Sequence, residues 1–422
     1  MPEQIKIAHI DAAAAVYAVN ATLRRIDERL VDHGERVAFI ACELCEEGNL
    51  PMDMKTLFLL CAFHDIGAYK TDEIDRMLEF ETHDVWNHSV YGYLFMKYMS
   101  PLRERADAIL YHHTSWDDLC RTDTKQRDYA SLIHLADRID IAFTYGLDAA
   151  GIERLMHDVK DRFRADYSEI ARTCYHKHEM FEQLADGSYL QKNRQRLEKF
   201  FPIADETLEY LKMIVYAIDF RSEHTVTHTI NTVSLALNIA RHFGFTKEEL
   251  EKIYLGALLH DVGKIAIPVS ILEYPGKLAS EEMEVMRTHV KETEYLIQGI
   301  VPEEICRIAV RHHEKLDGSG YPYGLTGDDL TLPERIVAVA DIVSALSSRR
   351  SYKEPFPREK TLKILEQMSK SQLDPSVCAY VSEHYDSIMK ATEPDRIQII
   401  EMYQSIMQEY ERVAARMEAM RR

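Results

Sequence analysis

Two series of histidines and aspartates run through this sequence in the same order. The second is His228, then His260-Asp261, His289, His312-His313 and Asp341. Neutral imidazole nitrogens and carboxylate oxygens suit Mn, Fe, Co or Zn rather than soft metals. One catalytic ion takes about four to six ligands and keeps a position open for water. Seven protein groups exceed what one such ion can use, so the set predicts two ions, with Asp261 as the bridging carboxylate. Two ions ~3.5–4 Å apart can hold a hydroxide and neutralise charge on a phosphoryl oxygen. The chemistry expected is hydrolysis of a phosphate ester.

A single helical histidine is more often structural than a ligand, and His312 lies on an apolar stripe with Ile305, Ile308 and Ala309. Adjacent His-Asp and His-His pairs at the ends of apolar helices are another matter. Burying them unpaired would cost several kcal/mol, a cost that a metal removes.

The first series is His33, then His64-Asp65, His88, His112-His113 and Asp137. No interval differs from its counterpart by more than five residues. Local contexts agree as well: FHDIG with LHDVG, LYHHTSWD with VRHHEKLD, HLADRID with AVADIVS. The chain therefore reads as two copies of one domain. The first copy has Ala68 where the second has Lys264, and Thr114-Ser115-Trp116-Asp117 where the second has a glycine-rich run. It is a candidate second metal site, with a regulatory role expected ahead of a separate catalytic one.

The elements that must position these groups are helical. Before His260, Leu250, Ile253, Tyr254, Ala257 and Leu258 form one apolar stripe, and Gly263 and Pro268 end the helix. Strand signals are sparse, so the expected fold is all-α. The expected segments are a first-copy domain without the glycine-rich run over 1–150, a helical connector over 151–202, a catalytic domain over 203–385 and a C-terminal helix over 386–422. That last amphipathic helix is read as a packing or homodimerisation element.

The 422 residues carry a net charge of −19, which argues against a nucleic-acid polymer as partner. An anionic small substrate then needs metals and local Lys or Arg. No apolar run approaches membrane-spanning length, and the N-terminus does not read as a signal peptide. An odd count of seven cysteines fits reduced thiols, and the default location is cytoplasmic. Cys42 and Cys45 form a CxxC within a helical pattern, read as a buried face rather than a zinc or redox site.

LLHDVGKIAIP around His260-Asp261 resembles the HD superfamily of metal-dependent phosphohydrolases. HHEKLDGSGYP, from His312 to Pro322, is similar to the signature of its HD-GYP subfamily, and ADIVSALSSRRSYK to that subfamily's next helix and loop. The resemblance covers roughly 203–381. It implies two tandem HD-type helical domains and a centre of two or three divalent ions, commonly Fe or Mn, with Co, Ni or Zn as alternatives. It implies hydrolysis of cyclic di-GMP to pGpG or GMP. It places the metal ligands on His228, His260, Asp261, His289, His312, His313 and Asp341. Asp261 and Lys264 would be catalytic, and Lys264, Gly320, Tyr321, Pro322, Arg350 and Lys353 would bind substrate.

This sequence departs from the subfamily pattern at three places. Ser344 replaces a common aspartate that would hold Lys264. His224 stands where some three-metal members carry glutamate, and on a helix it shares a face with His228 as a candidate further ligand. Arg349 replaces a common acidic residue. Alternatives to cyclic di-GMP hydrolysis are hydrolysis of cyclic GMP-AMP, general nucleotide phosphohydrolysis, and a non-catalytic cyclic-dinucleotide receptor.

Overall fold

A computed structural model of the chain describes residues 12–70, 87–177, 179–201, 207–221, 225–347 and 355–421. Every regular element among them is helical, as expected. The few β contacts are isolated bridges, Gln298 with Val301 and Asp317 with Thr326. No described helix is long and apolar enough to cross a membrane.

By packing, the described residues divide into two compact units, and the division does not follow the expected segments. One unit takes the helix Ala12–Arg24 together with residues from Ile203 to Gln404. The other takes Asp27 to Pro202 together with Ser405 to Arg422. The helix Ala12–Arg24, expected with the first copy, lies against Thr207–Arg221, a helix of the second copy. Alanine and valine at positions 13, 15, 16, 18 and 19 are buried, which gives that helix an almost wholly apolar packing face.

The helices of the 151–202 segment pack within the unit of the first copy. Among them, Ala165–Lys177, Glu179–Asp186 and Tyr189–Phe200 pack on Glu28–Glu47. Arg196 reaches Glu43 and Glu46 at 2.7 and 2.8 Å, and Asn193 Nδ2 donates to the Glu35 carbonyl at 2.9 Å. The C-terminal helix Pro375–Arg421 contributes its early turns to one unit and its last turns to the other. Its tail finds its packing within the chain: Val413 and Met417 are buried, Tyr410 stacks on Tyr91, and Glu409 accepts from Tyr93, Tyr98 and Lys97. A homodimer through this helix would have to use what stays exposed, such as Met407 and Met420.

In the unit of the second copy, Thr225–His242 packs on Lys247–Leu259 and on Leu332–Ser347. A capping box starts Lys247–Leu259: the Thr246 hydroxyl accepts from Glu249 N–H, and the Glu249 carboxylate accepts from Thr246 N–H. Ile253, Ala257, Leu258 and Leu259 then drive it into the core. The unit of the first copy repeats this plan, with Glu28–Glu47 on Met54–Ala62 and on Arg127–Thr144. Cys42 and Cys45 lie on the buried face of Glu28–Glu47 as free thiols, and burial pushes Cys42 up to about 12.

Candidate metal centres

Six of the seven candidate ligands of the second copy, all but Asp341, sit where helices begin or end. His228 is in the first turns of Thr225–His242, and His260 caps Lys247–Leu259. His289 opens His289–Ile297, His312 and His313 follow Glu303–Val310, and Asp341 faces inward from Leu332–Ser347. Such positions free side chains from the helix body while the helices fix their origins.

Asp261 lies between two groups. Its Oδ2 is 3.5 Å from His228 Nε2 and 3.1 Å from His260 Nε2. Its Oδ1 is 3.4 Å from His289 Nε2 and 3.9 Å from His312 Nε2. Asp341 closes the far side, with Oδ1 3.0 Å from His228 Nε2 and Oδ2 3.8 Å from His313 Nδ1. Two sets could each hold an ion, His228 with His260 and Asp261, and His289 with His312 and His313. Asp261 belongs to the first set, and its Oδ1 faces His289 and His312 of the second.

The backbone prepares three of these rings. His260, His289 and His312 each place Nδ1 within 2.6–2.7 Å of the carbonyl three residues earlier. A carbonyl only accepts, so each Nδ1 carries the proton and each Nε2 turns a lone pair inward. Nε2 of His260, His289 and His312 and Oδ1 of Asp261 are buried without a hydrogen-bond partner. Orphaned acceptors converging on one point are what a divalent ion satisfies. Burial holds His289 down at about 4 and His312 at about 3, so both are neutral ligands near neutral pH. Burial alone would raise the Asp261 carboxyl; the adjacent His260 ring and the Lys264 ammonium hold it well below its ordinary range.

Lys264 reaches the same place, with Nζ 2.5 Å from Asp261 Oδ2. Ser344, at the position of the common aspartate, does not back Lys264. Its Oγ lies 3.1 Å from His228 Nδ1 and donates to the His228 carbonyl at 3.0 Å. Tyr321 places its ring 4.7 Å from that of His313, and its N–H donates to the His313 carbonyl. Gly320 must be glycine, because a Cβ there would lie 2.4 Å from Glu314 Cα. His224, Arg349, Arg350 and Lys353 lie outside the described residues.

Three contributors escaped the sequence reading. Glu314 is buried, and its carboxylate accepts from the N–H groups of Tyr323 at 2.7 Å and Leu325 at 2.9 Å, tying down the loop that carries Tyr321 and Pro322. Arg287 stacks its guanidinium over Tyr321, 5.2 Å from the ring centre. Gly263 presses against the third histidine, since a Cβ would stand 1.9 Å from the His289 carbonyl oxygen. Gly67 does the same to His88 at 2.0 Å. That shared glycine was visible in FHDIG and LHDVG, where it read only as a helix stop.

The first copy assembles all seven of its counterparts. Asp65 Oδ2 faces His33 at 3.7 Å and His64 at 3.3 Å, while Oδ1 faces His88 at 3.6 Å and His112 at 3.5 Å. Asp137 lies 3.3 Å from His33 and 3.6 Å from His113. His64 Nε2 and Asp65 Oδ1 are buried orphans. His113 Nε2 and His88 Nε2 lie only 3.1 Å apart, a contact that needs a shared proton or an ion. With Ala68 in the place of Lys264, the nearby cation moves to the other carboxylate: Arg138 holds Asp137 at 2.8 Å. The loop also differs, since Ser115 caps the helix Trp116–Arg121 where the second copy folds its glycine-rich turn.

Among the described residues, two helical units each gather the same five-part series of histidines and aspartates around a central aspartate, as a tandem pair of candidate metal sites. The chain belongs to the HD-domain family and carries the domain twice, matching family models over residues 30–142 and 212–377, the second copy in HD-GYP form. It is 28% identical, over 92% of its length and 95% of the relative's, to the 3'3'-cGAMP-specific phosphodiesterase 1 of Vibrio cholerae. It is 39% identical to the cyclic di-GMP phosphodiesterase response regulator RpfG of Xanthomonas campestris, over 42% of this chain and 47% of that one. It is 36% identical to the 3'3'-cGAMP-specific phosphodiesterase 2 of Vibrio cholerae, of which it spans 38%. A crystal structure of the cyclic GMP-AMP specific phosphodiesterase V-cGAP3 of Vibrio cholerae shares the fold, with a TM-score of 0.53 at 19% identity, over 90% of this chain and 98% of that one.

Proposed function

We propose that this chain is a metal-dependent phosphodiesterase that hydrolyses a cyclic dinucleotide at the second copy. The observation that carries the reading is Asp261, with each carboxylate oxygen aimed at a different pair of inward Nε2 atoms. His228, His260, Asp261, His289, His312, His313 and Asp341 would hold two divalent ions, Fe or Mn first among the candidates. Such ions supply Lewis acidity and a nucleophile from water at neutral pH. The chain supplies the rest. Lys264 fixes a positive charge at the edge of the cluster, where a phosphoryl oxygen gains negative charge. Tyr321 offers a ring beside His313 for stacking, and the loop that Glu314 ties down keeps Gly320, Tyr321 and Pro322 in place.

The hybrid 3'3'-cyclic GMP-AMP becomes the preferred substrate over cyclic di-GMP. The relative that matches along nearly the whole chain is named as specific for it, whereas RpfG, named for cyclic di-GMP, shares less than half. The higher identity to RpfG keeps cyclic di-GMP as the second reading. For the first copy we propose a metal-binding regulatory domain, supported by the seven gathered ligands and the absence of a Lys264 counterpart. A cytoplasmic location accords with seven free cysteines.

The test is to load the full chain with Mn²⁺, or with Fe²⁺ anaerobically, and to offer 3'3'-cyclic GMP-AMP, cyclic di-GMP and nucleoside triphosphates. Cleavage of a cyclic dinucleotide should vanish in Asp261→Ala and survive in Asp65→Ala. Tight binding without turnover would make the chain a receptor, and triphosphate cleavage alone would make it a general phosphohydrolase.

A further inference from the structure

The two copies support their first histidine differently. In the first copy Asp140 Oδ2 lies 2.7 Å from His33 Nδ1, and the carboxylate is fully buried. Arg36 closes on both of its oxygens, with Nε at 2.6 Å and Nη2 at 3.0 Å. Asp140 is the nearest carboxylate to the ring and takes the Nδ1 proton, which leaves Nε2 as the nitrogen that His33 presents toward Asp137 and Asp65.

Ser344 takes the place of Asp140, three residues after the last aspartate of its cluster on the matching helix. Its hydroxyl proton goes to the His228 carbonyl, which leaves Oγ to accept from His228 Nδ1–H. The inward nitrogen is therefore the same, but the acceptor behind it is neutral. The second member of the pair changes as well. Arg36 stands three residues after His33, and three residues after His228 stands Asn231. A charged pair in one copy is matched by two neutral residues at the corresponding positions of the other.

A carboxylate behind a metal-bound histidine draws on the Nδ1 proton and makes Nε2 the stronger donor, and loss of such a partner costs roughly 10–100-fold in metal affinity. We propose that Asp140 and Ser344 are positioning residues that set unequal grips: the first copy holds its divalent cation at His33 at least ~10-fold more tightly than the second copy holds its own at His228. The first-copy centre is then the permanently loaded one, and the second-copy centre exchanges with free metal. This rests on the reading that both clusters bind divalent ions.

The full chain, loaded with Mn²⁺ and freed of excess, is challenged with graded EDTA, and the ions retained per chain are counted by mass spectrometry. Release is expected in two steps. Asp261→Ala should delete the easy step and Asp65→Ala the resistant one. Ser344→Asp with Asn231→Arg should move the easy step to ~10-fold more chelator, and Asp140→Ser with Arg36→Asn should move the resistant step down by a similar factor. Ser344→Thr keeps the hydroxyl and should behave as wild type, while Ser344→Ala should release its ion still earlier.

Circular dichroism and the unfolding midpoint establish which variants fold. If the buried Asp-Arg insertion does not fold, the Asp140/Arg36 pair and the Thr-against-Ala contrast at position 344 decide the matter. One common release step for both copies, or midpoints unmoved in folded variants, would overturn the inference alone. A wild-type chain that retains no Mn²⁺ would overturn the proposed function, and the inference with it.

Discussion

Lys264 Nζ lies 2.5 Å from Asp261 Oδ2, the oxygen that also faces His228 and His260. One carboxylate oxygen thus gathers the ammonium and two ligand imidazoles. Lys264 is close enough to act on whatever those imidazoles hold, yet it has no lone pair to give an ion when protonated.

Lys264→Met is therefore expected to separate binding of metal from chemistry. Turnover of the cyclic dinucleotide should fall by ~10²–10³-fold, the scale seen when one preorganised charge-stabilising donor is removed. Metal content by mass spectrometry should match wild type. A parallel loss of metal would mean that Lys264 organises the cluster instead.

Glu314 should act on substrate rather than on metal. Its two accepted N–H bonds, from Tyr323 and Leu325, fix the loop from behind. Glu314→Ala leaves both donors without their buried partner, a cost of about 1.5–3 kcal/mol. We expect a raised KM and a lowered thermal midpoint at unchanged metal stoichiometry, measured by steady-state kinetics and calorimetry.

The glycine against the third histidine allows a matched pair of tests. Gly263→Ala and Gly67→Ala each drive a methyl into a backbone oxygen, at 1.9 and 2.0 Å. Neither oxygen can swing away as a side chain would, so each change should destabilise its own unit by about 1–3 kcal/mol or more. Gly263→Ala should also abolish cyclic dinucleotide hydrolysis by displacing His289, while Gly67→Ala should spare it. Chemical unfolding and activity assays read the two effects.

Much of this was legible in the residues. The order His, His-Asp, His, His-His, Asp needs no tertiary information, and all fourteen groups come together as two clusters around Asp65 and Asp261. What stayed hidden depends on partners distant in sequence. Glu314 looks like any acid after a His-His pair until its acceptors are seen, and Arg287 becomes notable only over the Tyr321 ring. Ser344 reads as a lost lysine partner, yet it backs His228, because the face of Leu332–Ser347 that bears it packs on Thr225–His242. Nor could periodicity tell that Ala12–Arg24 packs with residues some two hundred positions onward, since an apolar stripe does not name its partner.

Acid should unfold the metal-free chain early. Burial lowers His289 to about 4 and His312 to about 3, from 6.5 in the unfolded chain. Between those values the unfolded state binds protons that the folded state refuses, so stability falls as pH drops from 6.5 toward about 4. His33 has the opposite sign. Burial would lower it, but hydrogen bonds to Asp137 and Asp140 raise it to about 10, so its contribution is full below 6.5 and lost as pH climbs toward about 10. Urea midpoints of chelator-treated protein should rise from mildly acidic to neutral pH, and His312→Gln should flatten that rise.

Glu409 should matter to the unit of the first copy. It is buried with Lys97 at 2.6 Å and accepts from the Tyr93 hydroxyl at 2.9 Å. Burial would raise its carboxyl, but Lys97 and the tyrosines pull it down to about 2. Glu409→Leu should cost about 1–3 kcal/mol at neutral pH by stranding those donors. The deficit should shrink as pH falls from 4.5 toward about 2, where the wild-type side chain itself takes up a proton. A deficit that did not depend on pH would point to packing alone.

The crossing of the chain ends has a consequence for synthesis. The helix Ala12–Arg24 is synthesised before the unit that begins at Asp27, yet it packs among residues made after Ile203. The unit that begins at Asp27 draws its last turns from Ser405 onward. Each unit completes its packing only after the chain has passed through the other, so the first copy cannot close until Ser405 and the residues after it have been made. Cutting the chain between Pro202 and Ile203 would split both units, and mixing the separately expressed pieces is the natural way to look for their recovery.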